Sequence, residues 1–215
     1  MAVRGTPKPS AGEATRAKII AAALDTLHEE GIVGTSARSI AARGGFNQGL
    51  IFYHFGGINE LLLAAVDELS HRREERYRER LKDITTLSAL VSIAGELHQQ
   101  DMEDGHITVL TQMLAGVATN PELREPLRER FQPWIDIVQE TVERAIGDTP
   151  YAAMVPMKDL ALGVTAVFLG LELLLSLEDE ASQAEQEVFR SIGFLAGVLE
   201  LLLDSLPAPP GAAND

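Results

Sequence analysis

The chain reads as an all-α protein, and three observations predict it. Apolar residues recur at i, i+3, i+4 and i+7 over most of the 215 residues. No segment alternates at period two for long enough to build a sheet. Gly31, Gly44-Gly45, Gly147, Pro150 and Pro207 punctuate the periodic stretches as breaks. With 46% apolar and 23% charged residues, the composition is that of a soluble globular protein able to bury a proper core.

Each element follows from its own pattern. Thr15 to Glu30 carries Ile19, Ile20, Ala23, Leu24 and Leu27 on one stripe and stops at Gly31. Ser36 to Arg43 is a second helix, with Thr35 or Ser36 as N-cap and Gly44-Gly45 as its stop. Asn47 caps a short helix from Gln48 to His54, and a long one runs from about Asn59 to Asp83. Later helices fall near Leu87–Glu103, His106–Ala118, Pro121–Ile146, Pro156–Glu178 and Ser182–Leu206, with Pro121 and Pro156 at first-turn positions. The spacing predicts a flexible basic arm over 1–12, a domain over 13–58, a larger helical domain over 59–206 and a disordered tail over 207–215. The opening residues MAVRGTPKPSAG lack the apolar run of a secretory signal. Absence of cysteine excludes disulfides, zinc-thiolate sites and thiol catalysis, and suits a reducing cytoplasm.

The charge is unevenly spread. Arg4, Lys8, Arg16, Lys18, Arg38 and Arg43 stand against Glu13, Asp25, Glu29 and Glu30, so residues 1–58 carry +2 within a chain of net charge -14. A mildly basic head on a strongly acidic body is expected where only the head meets a polyanion.

The stretch TSARSIAARGGFNQGLIFYHF, Thr35 to Phe55, fits that head. Two short helices joined by a glycine-containing turn and braced by an amphipathic helix make a helix-turn-helix, whose second short helix enters the major groove. Ile40, Ala41, Phe46, Ile51 and Phe55 are placed to form its small core. Arg38, Asn47, Gln48, Gly49, Leu50, Phe52, Tyr53 and His54 fall nearer solvent, where rings would lie against phosphates and base edges.

Arg16, Ile19, Ala22-Ala23, Leu27 and Glu30-Gly31, then Thr35-Ser36, Arg38, Ile40-Ala41 and Gly45, then Gly49, Ile51, Tyr53-His54-Phe55 and Leu61-Leu62 follow one another in a pattern that resembles the N-terminal domain of TetR-family transcriptional repressors. The resemblance covers about the first quarter of the chain. It implies an all-helical homodimer with an N-terminal three-helix DNA-binding domain, a C-terminal ligand-binding and dimerisation domain, and a palindromic double-stranded DNA operator released when a small-molecule effector binds. It further implies that Arg38 and Gln48 read bases, that Thr35, Phe52, Tyr53 and His54 face phosphates, and that Ser36, Asn47, Gly49 and Leu50 complete the DNA-facing set. Arg and Gln suit base reading because each makes bidentate contacts to a purine edge, worth about 1–3 kcal/mol of discrimination.

Two positions depart from the family pattern. Phe52 stands where tyrosine is common and Ile58 where lysine is usual, so a hydroxyl and a cation that would meet phosphate are missing. One lost phosphate cation flattens the salt dependence by about 0.9 in log units. Arg4, Lys8, Arg16 and Tyr53 are placed to compensate, and Leu50 suits a thymine methyl unless it packs inward.

The body poses its own question. Leu160 to Leu177 is apolar all round except for Glu172, which a buried helix or a membrane span would explain. The flanking Lys158-Asp159 and Glu178-Asp179-Glu180, with Glu172 inside, favour burial and no membrane. Gly193 and Gly197 stand one turn apart on the last helix, and Gly163 and Gly170 sit on the helix before it. Small residues allow close helix approach, so two helices per subunit can build a four-helix dimer interface. Met102, Leu110, Met113, Phe131, Trp134 and Phe168, with Thr111 and Gln112 as polar contacts, are the candidates for lining a pocket for a largely apolar effector. The alternative is plain core.

A rival reading is a ferritin-like di-metal bundle, because Glu68-x-x-His71 and Glu103-x-x-His106 place ligands on one helix face. Gly105 interrupts the second pair, and His71 opens the solvated run HRREERYRER. No nucleophile elbow or phosphate loop is present, so neither enzymatic activity nor a cofactor is expected.

Overall fold

The structure is a computed structural model. It describes residues 10–206 apart from 104, 148, 150–151 and 176–180, and leaves aside the side chains of 72, 103, 106, 153, 172, 181 and 182. The described residues form nine α-helices and two 3-10 turns, with no strand. The helices are α1 (Ala11–Gly34), α2 (Ala37–Gly44), α3 (Gly49–Phe55), α4 (Ile58–Leu81), α5 (Leu87–Glu103), α6 (His106–Gly116), α7 (Arg124–Ile146), α8 (Met157–Leu175) and α9 (Ala181–Ser205). The all-α expectation holds, and most helix limits fall within a few residues of those read from the sequence.

Where limits moved, local chemistry moved them. Helix α1 begins ahead of Thr15, because the Ser10 hydroxyl accepts from the Glu13 N–H at 3.3 Å while the Glu13 carboxylate accepts from the Ser10 N–H at 2.7 Å. This reciprocal capping box satisfies two amides that a helix start leaves open. The predicted arm over 1–12 therefore ends earlier, since Ala11 and Gly12 are helical. The remainder of that arm and the predicted tail over 207–215 lie outside the described residues. At the other end, Gly31 leaves the helical path at φ 66°, so the run from Ile32 to Gly34 is a separate turn. Pro121 starts a 3-10 turn, Pro121–Leu123, rather than the long helix itself.

The chain groups into two compact units, residues 1–69 with 112–126, and residues 70–111 with 127–215. This division differs from the expected boundary at 58: the first unit also takes the opening half of α4 and the end of α6.

In the first unit, Ile19, Ile20, Ala22 and Ala23 of α1 bury against Ile40 of α2, Ile51 of α3 and Leu61 and Ala65 of α4. Phe46, Leu50, Phe55 and Ile58 pack around that cluster. The end of α6 adds a polar tie: the Ile32 N–H donates to the Gln112 side-chain oxygen at 3.1 Å. Asn120, just past α6, donates to Asn59 near the start of α4 at 2.9 Å.

In the second unit, α5 packs along α9, and the Gly95 backbone comes so close to Phe189 that a β-carbon there would stand 3.1 Å from the ring. His98 is fully buried, with its Nδ1 2.6 Å from Glu185 and its ring against Phe168 and Phe189. A second polar centre gathers around buried Asp101, which takes hydrogen bonds from Arg73, Arg76 and the Tyr77 hydroxyl. Trp134 covers it, edge-on to Tyr77 and flat beneath the Arg73 guanidinium at 3.9 Å. A buried carboxylate requires such donors, because an unpaired charge away from water costs several kcal/mol.

Two stability predictions follow from this packing. A β-carbon at Gly44 would stand 2.2 Å from the Phe46 ring and 2.9 Å from the Ala22 methyl. Gly44→Ala is therefore expected to destabilise the chain by about 1–3 kcal/mol in denaturant unfolding. In the second unit, burial chiefly, and then the Asp101 charge, push the Tyr77 phenol well above its ordinary range, against the opposing pull of Arg73. Tyr77 thus holds its proton in the folded chain at a pH where the unfolded chain has lost it. Its contribution to stability is intact below about pH 10 and falls by about 1.4 kcal/mol per pH unit above it. Comparing wild type with Tyr77→Phe between neutral pH and pH 11 measures this; the variant should lack that part of the alkaline loss.

Candidate nucleic-acid interface

The head is built so that a seven-residue helix, α3, stands free on one side. Its start is fixed by Asn47, whose side-chain oxygen accepts from the Gly49 N–H at 2.7 Å. Its inner face is fixed by Ile51, which is fully buried. The turn before it needs Gly45, which caps α2 in the left-handed region at φ 64° while its N–H reaches back to the end of that helix. Helix α2 opens on a second reciprocal box, the Ser36 and Ser39 hydroxyls each accepting the other's backbone N–H. The Thr35 hydroxyl donates to the Gly31 carbonyl at 2.7 Å, so this side chain is engaged in holding the α1–α2 corner.

What remains outward is the set the sequence pointed to. Phe52 and Tyr53 are exposed on α3, Tyr53 at 82%. The Tyr53 ring meets the half-buried His54 ring edge-on at 5.0 Å. Ser36, Arg38, Asn47, Gln48 and Gly49 are exposed as well. Among the described residues, Arg38 has no acidic partner and the Gln48 side chain makes no capping bond. Leu50 differs: it is half-buried and packs on the head core, so it turns inward rather than offering its side chain to a thymine methyl. Ile58 packs on the same core, which explains an apolar residue where a cation was expected.

Cations near the interface are few. Arg43 is tied to Glu29 at 2.7 Å and Glu30 at 2.8 Å, and the Arg16 guanidinium lies over the Phe55 ring at 4.7 Å. Arg4 and Lys8, named as possible compensation, fall outside the described residues.

The residues expected to line an effector pocket are spent on packing. Gln112 is bonded to Ile32, and both it and Met113 belong to the first unit. Thr111 bonds back to the Thr108 carbonyl, Trp134 covers the Asp101 centre, and Phe168 lies against His98. Leu110 and Met113 are buried, while Met102 and Phe131 are half-buried. A cavity of about 490 Å³ lies instead between α5 and α9, and none of these eight residues lines it. Its walls are mostly polar and charged, with Phe189 as their aromatic member, so apolar spacing does not point to it.

Of the glycines assigned to a dimer face, Gly163, Gly170 and Gly197 have open space where a β-carbon would stand. Gly193 faces Val91 of α5, on the intrachain side. The exposed apolar surface is carried by larger neighbours, Leu162, Val167, Leu173 and Leu174 on α8 and Phe194, Leu195, Leu199 and Leu202 on α9. Among the described residues no single helix is long and apolar enough to cross a membrane. The rival metal ligands do not assemble: His71 is exposed beside Glu75 at 3.8 Å, the Glu103 and His106 side chains lie outside the described residues, and no group of three candidate ligands occurs among the rest.

An amphipathic brace, a glycine turn and a short exposed helix with unpartnered Arg38 and Gln48 define a helix-turn-helix DNA-binding protein. The family model described as bacterial regulatory proteins, tetR family, matches residues 19–65. A transcriptional repressor of Mycobacterium tuberculosis, HTH-type transcriptional repressor Rv3405c, is 29% identical over 177 residues, covering 81% of this chain and 91% of the relative. The regulator CymR of Pseudomonas putida is 28% identical over 60% of this chain and 59% of its own length. Among solved structures, the fatty acid degradation regulator FadR of Bacillus halodurans superposes with a TM-score of 0.69 at 16% identity, over 87% of this chain and 97% of that one, which shows the shared fold. Residues 19–65 thus carry the tetR-family DNA-binding pattern, and along most of its length the chain is similar to HTH-type transcriptional regulators, which does not support the di-metal bundle.

Proposed function

We propose that the chain acts in the cytoplasm as a homodimeric repressor that reads a palindromic operator through α3 and the start of α2, and that a small-molecule effector taken up by its larger helical domain releases it. The observation that carries the reading is the exposed pair Arg38 and Gln48 beside an outward aromatic helix whose inner face is anchored by Ile51. Arg38 and Gln48 are the base readers in this account. Exposed Ser36, Asn47, Gly49, Phe52 and Tyr53, with half-buried Thr35 and His54 beside them, position the head on phosphates. Thr35 and Asn47 serve mainly by holding the turns at which α2 and α3 begin.

Dimerisation rests on the outward apolar faces of α8 and α9. A soluble monomer rarely leaves a continuous apolar patch of this kind uncovered, and two copies related by a two-fold axis would bury both faces in a four-helix interface. Two recognition helices held about 34–36 Å apart would then reach successive major grooves. Gly163, Gly170 and Gly197 allow close approach in that interface, while leucines supply its area.

Selection of bound fragments from a random DNA library should return a two-fold symmetric consensus. On that sequence, Arg38→Ala and Gln48→Ala are each expected to weaken binding by about 1–3 kcal/mol with no change in unfolding midpoint. Normal affinity in both variants would reassign the reading residues. Separately, Leu195→Glu with Leu199→Glu should convert the dimer to a monomer in sedimentation and abolish operator binding, whereas a persisting dimer would move the interface elsewhere.

A further inference from the structure

The cavity between α5 and α9 is lined by two side chains of opposite charge type, Glu185 and Arg190. Glu185 is buried at 5% exposure and lines the cavity. One of its oxygens meets His98 Nδ1 at 2.6 Å; its other oxygen has no partner among the described residues. Arg190, one turn further along α9 and also on the cavity wall, is exposed and has no ion pair among the described residues. The Phe189 ring lies between them in sequence and lines the same space. Glu96, the other acidic residue of the wall, is taken by Arg80.

A carboxylate on the wall of a cavity can accept from an ammonium group, and a guanidinium on the same wall offers donors to an anion. We propose that this groove binds a small zwitterion, with an ammonium group donating to Glu185, a carboxylate accepting from Arg190, and an apolar or aromatic body lying against Phe189. The exposed Ser92 hydroxyl and the Gln186 amide stand at the rim as further hydrogen-bonding groups. A volume of about 490 Å³ accommodates a ligand of amino-acid size or somewhat larger. This inference rests on the regulator reading in naming the class of effector, and it replaces the largely apolar effector expected from the sequence.

The test uses three probes on the full chain without DNA: L-phenylalanine, phenethylamine, which keeps only the amine, and 3-phenylpropanoate, which keeps only the carboxylate. Affinities are measured by titration calorimetry, and the site is located by protein-observed NMR. Phenylalanine should bind at least tenfold more tightly than either one-ended probe, with shifts confined to α5 and α9. Glu185→Gln should lower affinity for the two amines about tenfold and leave 3-phenylpropanoate unchanged; Arg190→Gln should lower affinity for the two carboxylates about tenfold and leave phenethylamine unchanged. Arg190 is exposed, so its variant keeps the fold even if loss of the Glu185–His98 pair does not allow the other to fold. Equal binding of all three probes, absence of binding, or variants that fail to discriminate would overturn the proposal. Operator binding of the same preparations, followed by fluorescence anisotropy, reports on the regulator reading alone, so the two can fail separately.

Discussion

The exposed face of α3 depends on the burial of Ile51. A helix of seven residues is far too short to persist on its own in water, since the cost of forming its first turn is never recovered over so few bonds. Helix α3 exists because Ile51 sinks fully into the space between Ile19, Ile20 and Ala23 of α1 and Ile40 of α2. The side chains on its far side are thereby held outward without any contact of their own. Gly44 and Gly45 serve the same end, one by leaving room for Phe46 against Ala22 and the other by turning the chain through the left-handed region.

The second unit is ordered by a different device. Its two interior polar centres, Asp101 with two arginines and Tyr77, and His98 with Glu185, are directional where apolar packing is not. A carboxylate with three donors admits few alternative helix registers, whereas leucines slide past one another at little cost. One centre joins α4 to α5 and is roofed by α7; the other joins α5 to α9 and borrows a ring from α8. Helix α5 takes part in both, and is the common element of that unit.

The sequence disclosed the head far better than the body. Short-range rules suffice there: periodic apolar residues, a glycine stop and Asn47 as a cap act over a few positions, and the family pattern fixes their order. The start of α1 was equally legible, because Ser10 and Glu13 have the spacing of a capping box. In the body, the decisive pairings are remote. Arg73 meets Asp101 and Glu185 meets His98 across separations that no local pattern encodes. Large apolar side chains such as Trp134 and Phe168 pack within the unit, while the cavity between α5 and α9 is walled by serine, glycine, glutamine and charged residues with Phe189. The glycines of α9 gave the right helix for an exposed apolar face, but Gly193 lies beside α5.

The pairing of Arg43 with Glu29 and Glu30, together with Ile58 packed into the core, leaves Lys18 and Arg38 as the described head's cations outside ion pairs and ring contacts. Affinity for DNA of arbitrary sequence comes almost wholly from such charges, through the counterions they displace. A head with so few of them is expected to dwell only briefly on unrelated DNA. In a genome offering about 10⁶–10⁹ competing sites, that lowers the fraction of molecules held away from the operator. The cost falls on the search, because sliding along the duplex needs the same weak attraction. Fewer copies per cell would then be needed to keep the operator occupied, at the expense of a slower return to it after release.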